Sequence, residues 1–452
     1  MYGEENTLSN FTIHGHINCD ATNATLENLT VSLSGGVQCT ATNVTLENVT
    51  VSNNTSIIGA LYLKNSSFTI NNSEITNNTT SLAAGGGINI CNSEGELHNV
   101  VISNNSCLNE FQTSWGPRGG GVYCDNSSPV FYNTQIIDNS VDSIDYTYGG
   151  GLYCYNSNPV FYNSQISNNA ANGTQVGYGG GVYCENSSPV FYNTLFTGNS
   201  VTNNDIYEWS SSVIYYDKNS HPVLINATIT ENQQFEDWYS HGVSLIGSEG
   251  YNNDMSLINS IVYFNDSLND SFLEAIITYS NIQYWNGIWP GEGNIDQYPV
   301  FVNSGEHPYQ INDLSPCIDM GNPDTTGLNL PEYDPAGEVR ISNNIVDMGA
   351  YEWNIMVGTD EPVFSDFPKN NLSIYPNPAC KTLHIIFQSE STAPAIATIY
   401  NQLGQQIKSE IPIEIQPGNN ELSLDVSSLE TGVYLLQLAI DGQVTTKKFV
   451  KY

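Results

Sequence analysis

Apolar and polar positions along this chain follow two rhythms, one nested in the other. The shorter is residue-by-residue alternation. In GVYCDNSSPVFYNTQIID from Gly121, Val122 and Cys124 flank Tyr123, Phe131 sits between Val130 and Tyr132, and Ile136 follows Gln135. Alternation over three or four residues, broken by Asn, Ser and Asp, predicts short strands joined by tight turns. The longer rhythm is a repeat of that block. GGGVYCDNSSPVFYNTQIIDNS from Gly119 returns as GGGLYCYNSNPVFYNSQISNNA from Gly149 and GGGVYCENSSPVFYNTLFTGNS from Gly179, a period of 30 residues. A fixed period of this size marks a solenoid in which each unit buries its apolar side against its neighbours.

Three short strands per unit and no helical period predict a three-sided parallel coil closed on itself. Phe131, Phe161, Phe191, Leu224 and Leu257 are expected to stack inward. Pro129, Pro159, Pro189 and Pro222 open the second strand, where a missing donor is tolerated. Looser copies extend the array. INCDATNATLENLTVS from Ile17 recurs from Val37, a period of 20 that sets the smallest coil. One asparagine runs through the copies: Asn28, Asn48, Asn72, Asn99, Asn133, Asn163, Asn193, Asn226 and Asn259. Asn tolerates the left-handed region and can hydrogen-bond along a stack, so Asn133, Asn163, Asn193, Asn226 and Asn259 are expected to form a structural ladder at a repeated turn. Longer periods add residues between the NN or NS closing one unit and the GGG opening the next.

Beyond Asn259 the rhythm decays into a turn-rich stretch. Residues 355–371 read as a linker, and from 372 the strands lengthen to LHIIFQS, AIATIYN and GVYLLQLAI, predicting a small antiparallel sandwich over 372–452. The expected fold class is therefore all-β: a right-handed parallel β-helix solenoid over 1–354, then a sandwich.

Composition changes the functional picture more than the fold. The 452 residues carry a net charge of −36, and from residue 1 to 365 only Lys64, Arg118, Lys218 and Arg340 oppose 38 acids. That field argues against nucleic acid and anionic membranes as partners. No apolar run is long enough for a transmembrane helix. The N-terminal stretch lacks signal-peptide regions, which predicts an N-terminally incomplete chain or a start placed elsewhere. Nine cysteines fit no zinc spacing. Cys124, Cys154 and Cys184 share one repeat position, lie about 4.8 Å apart from rung to rung, and point the same way, which favours a buried thiol stack over disulfides.

The GGGxYCxNSSPxxxN unit resembles the right-handed β-helix repeats of the pectin-lyase-like superfamily. SPCIDMG at Ser315 to Gly321, Arg340, and DMGAYE at Asp347 to Glu352 resemble the choice-of-anchor module that closes many bacterial surface β-helices, here about 286–354. Such a module caps an open sheet edge, and Arg340 is expected to pair with Asp319, Asp347 or Glu352. The tail is similar to type A sorting domains of the type IX secretion system. The resemblance rests on YPNP at Tyr375 to Pro378, IYNQLGQQI around Gly404, LETGVYLLQL from Leu429, and the terminal DGQVTTKKFVKY with Lys447, Lys448 and Lys451. It implies export by that machinery to the outside or outer-membrane surface of a Gram-negative bacterium.

Many pectin-lyase-like proteins cleave acidic polysaccharides. A lyase needs a strong base beside a carboxylate cluster holding Ca²⁺. Arg118 is the candidate base, with Lys64 and Lys218 behind it, but Asp142 and Asp145 show no calcium spacing; no cofactor is expected, with Ca²⁺ left open though no clear motif supports it. A hydrolase pair cannot be singled out among 38 acids, and His14 and His16 read as solvated. A binding surface has more support. The residue before each triplet is Arg118, Tyr148, Tyr178, Trp209 and Tyr239 in succession, and Tyr123, Tyr153 and Tyr183 form a second line on the first strand. Aromatic rows suit sugar rings, although stacked aromatics also satisfy one another along a sheet. Three readings stay open at this point: a glycan-binding or adhesive surface protein, a polysaccharide lyase or hydrolase, and a passive surface protein.

Overall fold

The computed structural model describes residues 5–452 except 21, 41–42, 82–83, 110–115, 204–209, 237–242, 249–254, 266–274, 285, 343–344, 355–371, 376–378, 380, 390–394, 402–405, 414, 417, 430–431, 441–442 and 452. It divides into two units, 1–355 and 356–452.

The first unit is a stack of parallel coils. In one coil, strands Val122–Asp125, Val130–Tyr132 and Gln135–Ile137 pair in register with Leu152–Tyr155, Val160–Tyr162 and Gln165–Ser167 of the next. Phe131, Phe161, Phe191, Leu224 and Leu257 are all fully buried, one column in a continuous core. Phe131 and Phe161 stack at 4.3 Å between ring centres, Phe161 and Phe191 at 5.0 Å. Cys124, Cys154 and Cys184 face the same core as free thiols, as alternation with the tyrosines requires.

The coil has more strands than the expected three. The residues inserted between NS and GGG form strands of their own, Ser140–Ser143 and Tyr146–Tyr148 in one coil, Ala170–Gly173 and Val176–Tyr178 in the next. They too pair in parallel from coil to coil, with a small apolar column of Cys107, Val141, Ala171 and Val201 beneath them. The GGG triplet exists because this second sheet presses on it. A Cβ on Gly120 would lie 2.3 Å from the Ser140 carbonyl and 2.4 Å from that of Gly150. No side chain fits there.

Each of the nine repeat asparagines has φ between 47° and 55°, the left-handed conformation expected of it. Asn48 donates to Asn28, Asn99 to Asn72 and Asn133 to Asn99 at 3.1–3.2 Å, and Asn193 to Asn163 at 2.8 Å. A second asparagine ladder escaped the sequence reading. Asn54, Asn78, Asn105, Asn139, Asn169, Asn199 and Asn232 are at most 1% exposed. From Asn78 onward each takes its Oδ1 partners from the rung below, for example the backbone N–H (3.0 Å) and Nδ2 (3.1 Å) of Asn139 on Asn169. Each also gives Nδ2 to a strand carbonyl, as Asn169 does to Ile136 O at 2.8 Å. The available signal was the second residue of every NN or xN pair, which keeps the same spacing as the outer ladder.

The terminal module does two separate jobs, not the single capping role expected. Trp289, buried in the main core against Tyr284, closes the end of the last coil. The stretch carrying Arg340 lies along the side instead. Asn163 and Asn193 donate to the Tyr333 carbonyl and Asn226 to that of Asp347, while the Gly349 and Ala350 N–H groups reach Asn259 O and Thr228 Oγ1. Arg340 is 1% exposed. It gives two bonds to the carbonyls of Asp347 (2.7 Å) and Gly349 (2.9 Å), and its Nε lies 3.6 Å from Glu352 Oε2. Of its three expected partners, Glu352 makes the ion pair. The Asp347 carboxylate accepts instead from the backbone of Asp319 and Trp353, and Asp319 supplies that backbone N–H.

The second unit has a three-stranded antiparallel sheet of Leu372–Tyr375, Thr382–Ser389 and Gly418–Asp425, and a four-stranded one of Ala395–Asn401, Gln406–Ile413, Gly432–Ile440 and Gln443–Lys451. They enclose one core that includes Ile385, Ile399, Leu436 and Phe449. Lys447 and Lys448 are exposed, while Lys451 is buried.

Candidate functional site

The inserted strands fold over the outer side of the first strand of each coil and bring the two tyrosine lines together. Tyr123, Tyr153, Tyr183 and Tyr215 occupy one column. Their rings stack at 5.4, 4.9 and 5.6 Å, with interplanar angles of 26°, 11° and 12°. The line before the triplet is equally real over Arg118, Tyr148 and Tyr178, which bridge one above another. Tyr148 and Tyr178 stack at 5.4 Å and meet the first column edge-on, Tyr148 with Tyr183 at 5.1 Å and Tyr178 with Tyr215 at 4.8 Å. The two lines are one packed block.

Packing changes what the rings offer. Faces stacked at rung spacing are spent on one another, so this column presents edges and phenol oxygens outward, not the flat faces expected for sugar stacking. Tyr153 is 1% exposed and Tyr178 8%, so they form the floor, whereas Tyr123, Tyr148 and Tyr183 are half-buried. Trp209 and Tyr239 lie outside the described residues. The register near Trp209 is moreover one residue from the expected one: Ile214, not Val213, stands over Val182, because SSSVIYY carries one residue more than GGGVYC.

Arg118 ties the block together. Its guanidinium carbon lies 5.0 Å from the centre of the Tyr153 ring and 5.8 Å from that of Tyr148, a cation–π arrangement. Burial opposes its charge, but Tyr153, Tyr123 and Glu185 outweigh burial and raise its pKa. Tyr123 is pushed up to about 12, burial being the main cause and Asp125 the next. Burial likewise raises Tyr148 and Tyr153 against the opposing pull of Arg118. Tyr153 donates its hydroxyl to Glu185. At neutral pH the block is thus one fixed cation and a set of neutral phenols.

Among the described residues, no group of three or more His, Cys, Asp or Glu is placed to hold a metal ion. Asp142 accepts from Ser140 and Asn172, and Lys218 is exposed at a turn. A second aromatic row, on the second strand, was not anticipated as a site. His98, Tyr132, Tyr162 and Tyr192 stack at 4.6, 5.2 and 4.9 Å, with His98 hydrogen-bonded to Glu96. The YN pair that opens each repeat turn was its signal.

Stacked coils in parallel register, an inward apolar column and left-handed asparagine turns define a parallel β-helix protein. The chain carries a right-handed β-helix region, matched over residues 16–233, and a secretion system C-terminal sorting domain, matched over residues 373–452. The sorting domain marks it as secreted or cell-surface and as a client of the secretion machinery. No curated protein matches it. Among the described residues no helix is long and apolar enough to cross a membrane.

Proposed function

We propose that this is a surface protein of a Gram-negative bacterium, exported by the type IX route, whose β-helix binds an extracellular glycan through the tyrosine block. One observation carries the reading: tyrosines repeat at rung spacing along Tyr123, Tyr153, Tyr183 and Tyr215, with Arg118 set against Tyr153 and Tyr148 and burial raising the Tyr123 and Tyr153 phenols. A comb of neutral hydroxyls can give and accept hydrogen bonds along a chain of sugar hydroxyls lying parallel to the coil axis. A lyase is favoured less, because its candidate base, Arg118, is stacked on two rings and held charged.

The test keeps the rings and removes the hydroxyls. A Tyr123→Phe, Tyr183→Phe double variant should lose about tenfold in affinity for whichever glycan of an array binds the parent, at about 0.5–1.5 kcal/mol per hydrogen bond. Tyr162→Phe, on the other face, should change nothing. Equal binding by parent and double variant, or no glycan bound by the parent, sinks the reading. Release of unsaturated or reducing products, abolished by Arg118→Lys, would favour the enzyme.

A further inference from the structure

The charges around the tyrosine block decide which glycans it can hold. Arg118 is the guanidinium of this face, and it is engaged inside the protein: it covers Tyr153, touches the Tyr148 ring and hydrogen-bonds Tyr123. It therefore offers little to a ligand carboxylate. The other charges that act on the phenols are all negative. Asp125 acts on Tyr123, Asp145 on Tyr148, and Glu185 on both Tyr148 and Tyr153.

Two of these carboxylates are also regularly placed. In the column beside the tyrosines the order from coil to coil is Lys64, Cys91, Asp125, Tyr155 and Glu185. Asp125 and Glu185 thus stand one rung either side of Tyr155, all three half-buried; Asp125 accepts from Asn126 Nδ2 and Glu185 from the Tyr153 hydroxyl. Two cations flank this column: Lys64 is two rungs below Asp125, where its influence falls on Cys91, and Lys218 is exposed at the turn next to Asp217, on the rung above Glu185. A ligand group in front of Tyr155 meets an aromatic ring and two carboxylates.

We infer that the block selects glycans without carboxylates, binds neutral chains, and prefers chains bearing protonated amino groups, which Asp125, Tyr155 and Glu185 receive. A uronic-acid polymer, with a negative charge on every sugar, meets like charges along the row and is rejected. This rests on the glycan-binding reading and adds a ligand class to it.

The experiment measures affinity of the full chain for three soluble oligosaccharides of equal length: a chitosan oligomer, its fully N-acetylated counterpart and an oligogalacturonate, each with chelator present. The expected order is chitosan, then the acetylated oligomer, with no oligogalacturonate binding. Because the whole chain is acidic, a polycation can bind without a site. Two variants of equal net charge therefore separate the cases: Asp125→Asn with Glu185→Gln, and Glu27→Gln with Glu47→Gln on the first coils. The first should remove the chitosan advantage, about two- to fivefold for an exposed ion pair, and leave the acetylated oligomer unchanged. The second should keep that advantage. An advantage lost equally in both variants, or oligogalacturonate bound as tightly as the acetylated oligomer, overturns the selectivity while leaving glycan binding intact. Failure to bind any of the three, or any glycan of the array, overturns both.

Discussion

Replacing Arg340 with Met tests how the terminal module is held to the side of the coil. Arg340 is enclosed by Asp334, Asp347 and Glu352, all at most 2% exposed, so one guanidinium serves three carboxyls. Burial pushes Glu352 up to about 8 and Asp347 up to about 6, and Asp334 is raised by burial as well. Arg340 is the cation that faces these acids, and burial works against the charge of each of them. Met fills similar space but takes the Arg340 donor from the Gly349 carbonyl, leaves the Asp347 carbonyl with Asn226 alone, and leaves the acids without a counter-charge. Breaking such a buried set costs about 3–5 kcal/mol, or a loss of about 100-fold or more in protection of the segment. The pH dependence gives a second check. These acids have folded pKa values above their unfolded ones, so the folded state binds more protons between about pH 4 and 8, and stability falls as pH rises through that window. In Arg340→Met the values rise further, so the penalty should be smaller at pH 5, where more of the carboxyls are protonated, and largest at pH 9. Hydrogen-exchange mass spectrometry of residues 345–354, corrected for intrinsic rates, measures both. A second variant, Arg340→Met with Glu352→Leu, should recover part of the loss. Protection that falls less than about fivefold at pH 7, or by the same factor at pH 5 and pH 9, would show that charge does not hold the module.

Four further outcomes follow from the coil. Asn169→Ala removes the acceptor of two Asn139 donors and the donor of Ile136 O in a dry site, and should cost about 2–4 kcal/mol in denaturant unfolding. On the outer ladder Asn133→Gly should be near neutral, whereas Asn133→Val must hold a branched side chain at φ 48° and lose about 1–2 kcal/mol; the reverse order would contradict the turn assignment. Gly150→Ala places a Cβ 2.4 Å from Gly180 O and 2.5 Å from Ala170 O, and should cost about 1–3 kcal/mol, while Gly15→Ala, with only Ile13 at 3.9 Å, should cost well under 1. Thiol titration of the native protein should label Cys91, the half-buried one among the eight described, and reach the core cysteines only on unfolding; ready labelling of Cys154 or Cys184 would mean the coil is open.

Nearly all of the coil was legible in the residues, because a solenoid converts periodicity directly into contact. A residue 30 positions on is the neighbour above, so Phe131, Phe161 and Phe191 declare an inward column, and a recurring Asn declares a turn. The inner ladder through Asn139, Asn169 and Asn199 carried the same period, but a buried amide and a solvated one look alike in sequence. Their difference lies in which strand carbonyl lies within reach, and only the closed coil sets that.

The candidate site divides differently. Counting placed Tyr123, Tyr153 and Tyr183 in one column and Arg118, Tyr148 and Tyr178 in another, but missed Tyr215, which the extra residue of SSSVIYY brings into the first. It could not show that the inserted residues form a second sheet folding back on the first strands, or that rings at rung spacing spend their faces on one another. Sequence also supplied Arg340 and its acids as a motif, while the tertiary structure alone laid that motif along the asparagine ladder and left Trp289 to close the end. Period is a one-dimensional quantity that survives in a string of residues. Enclosure, which shifts the phenol and carboxyl pKa values and decides what a ligand can touch, arises only when separate turns of the chain are packed together.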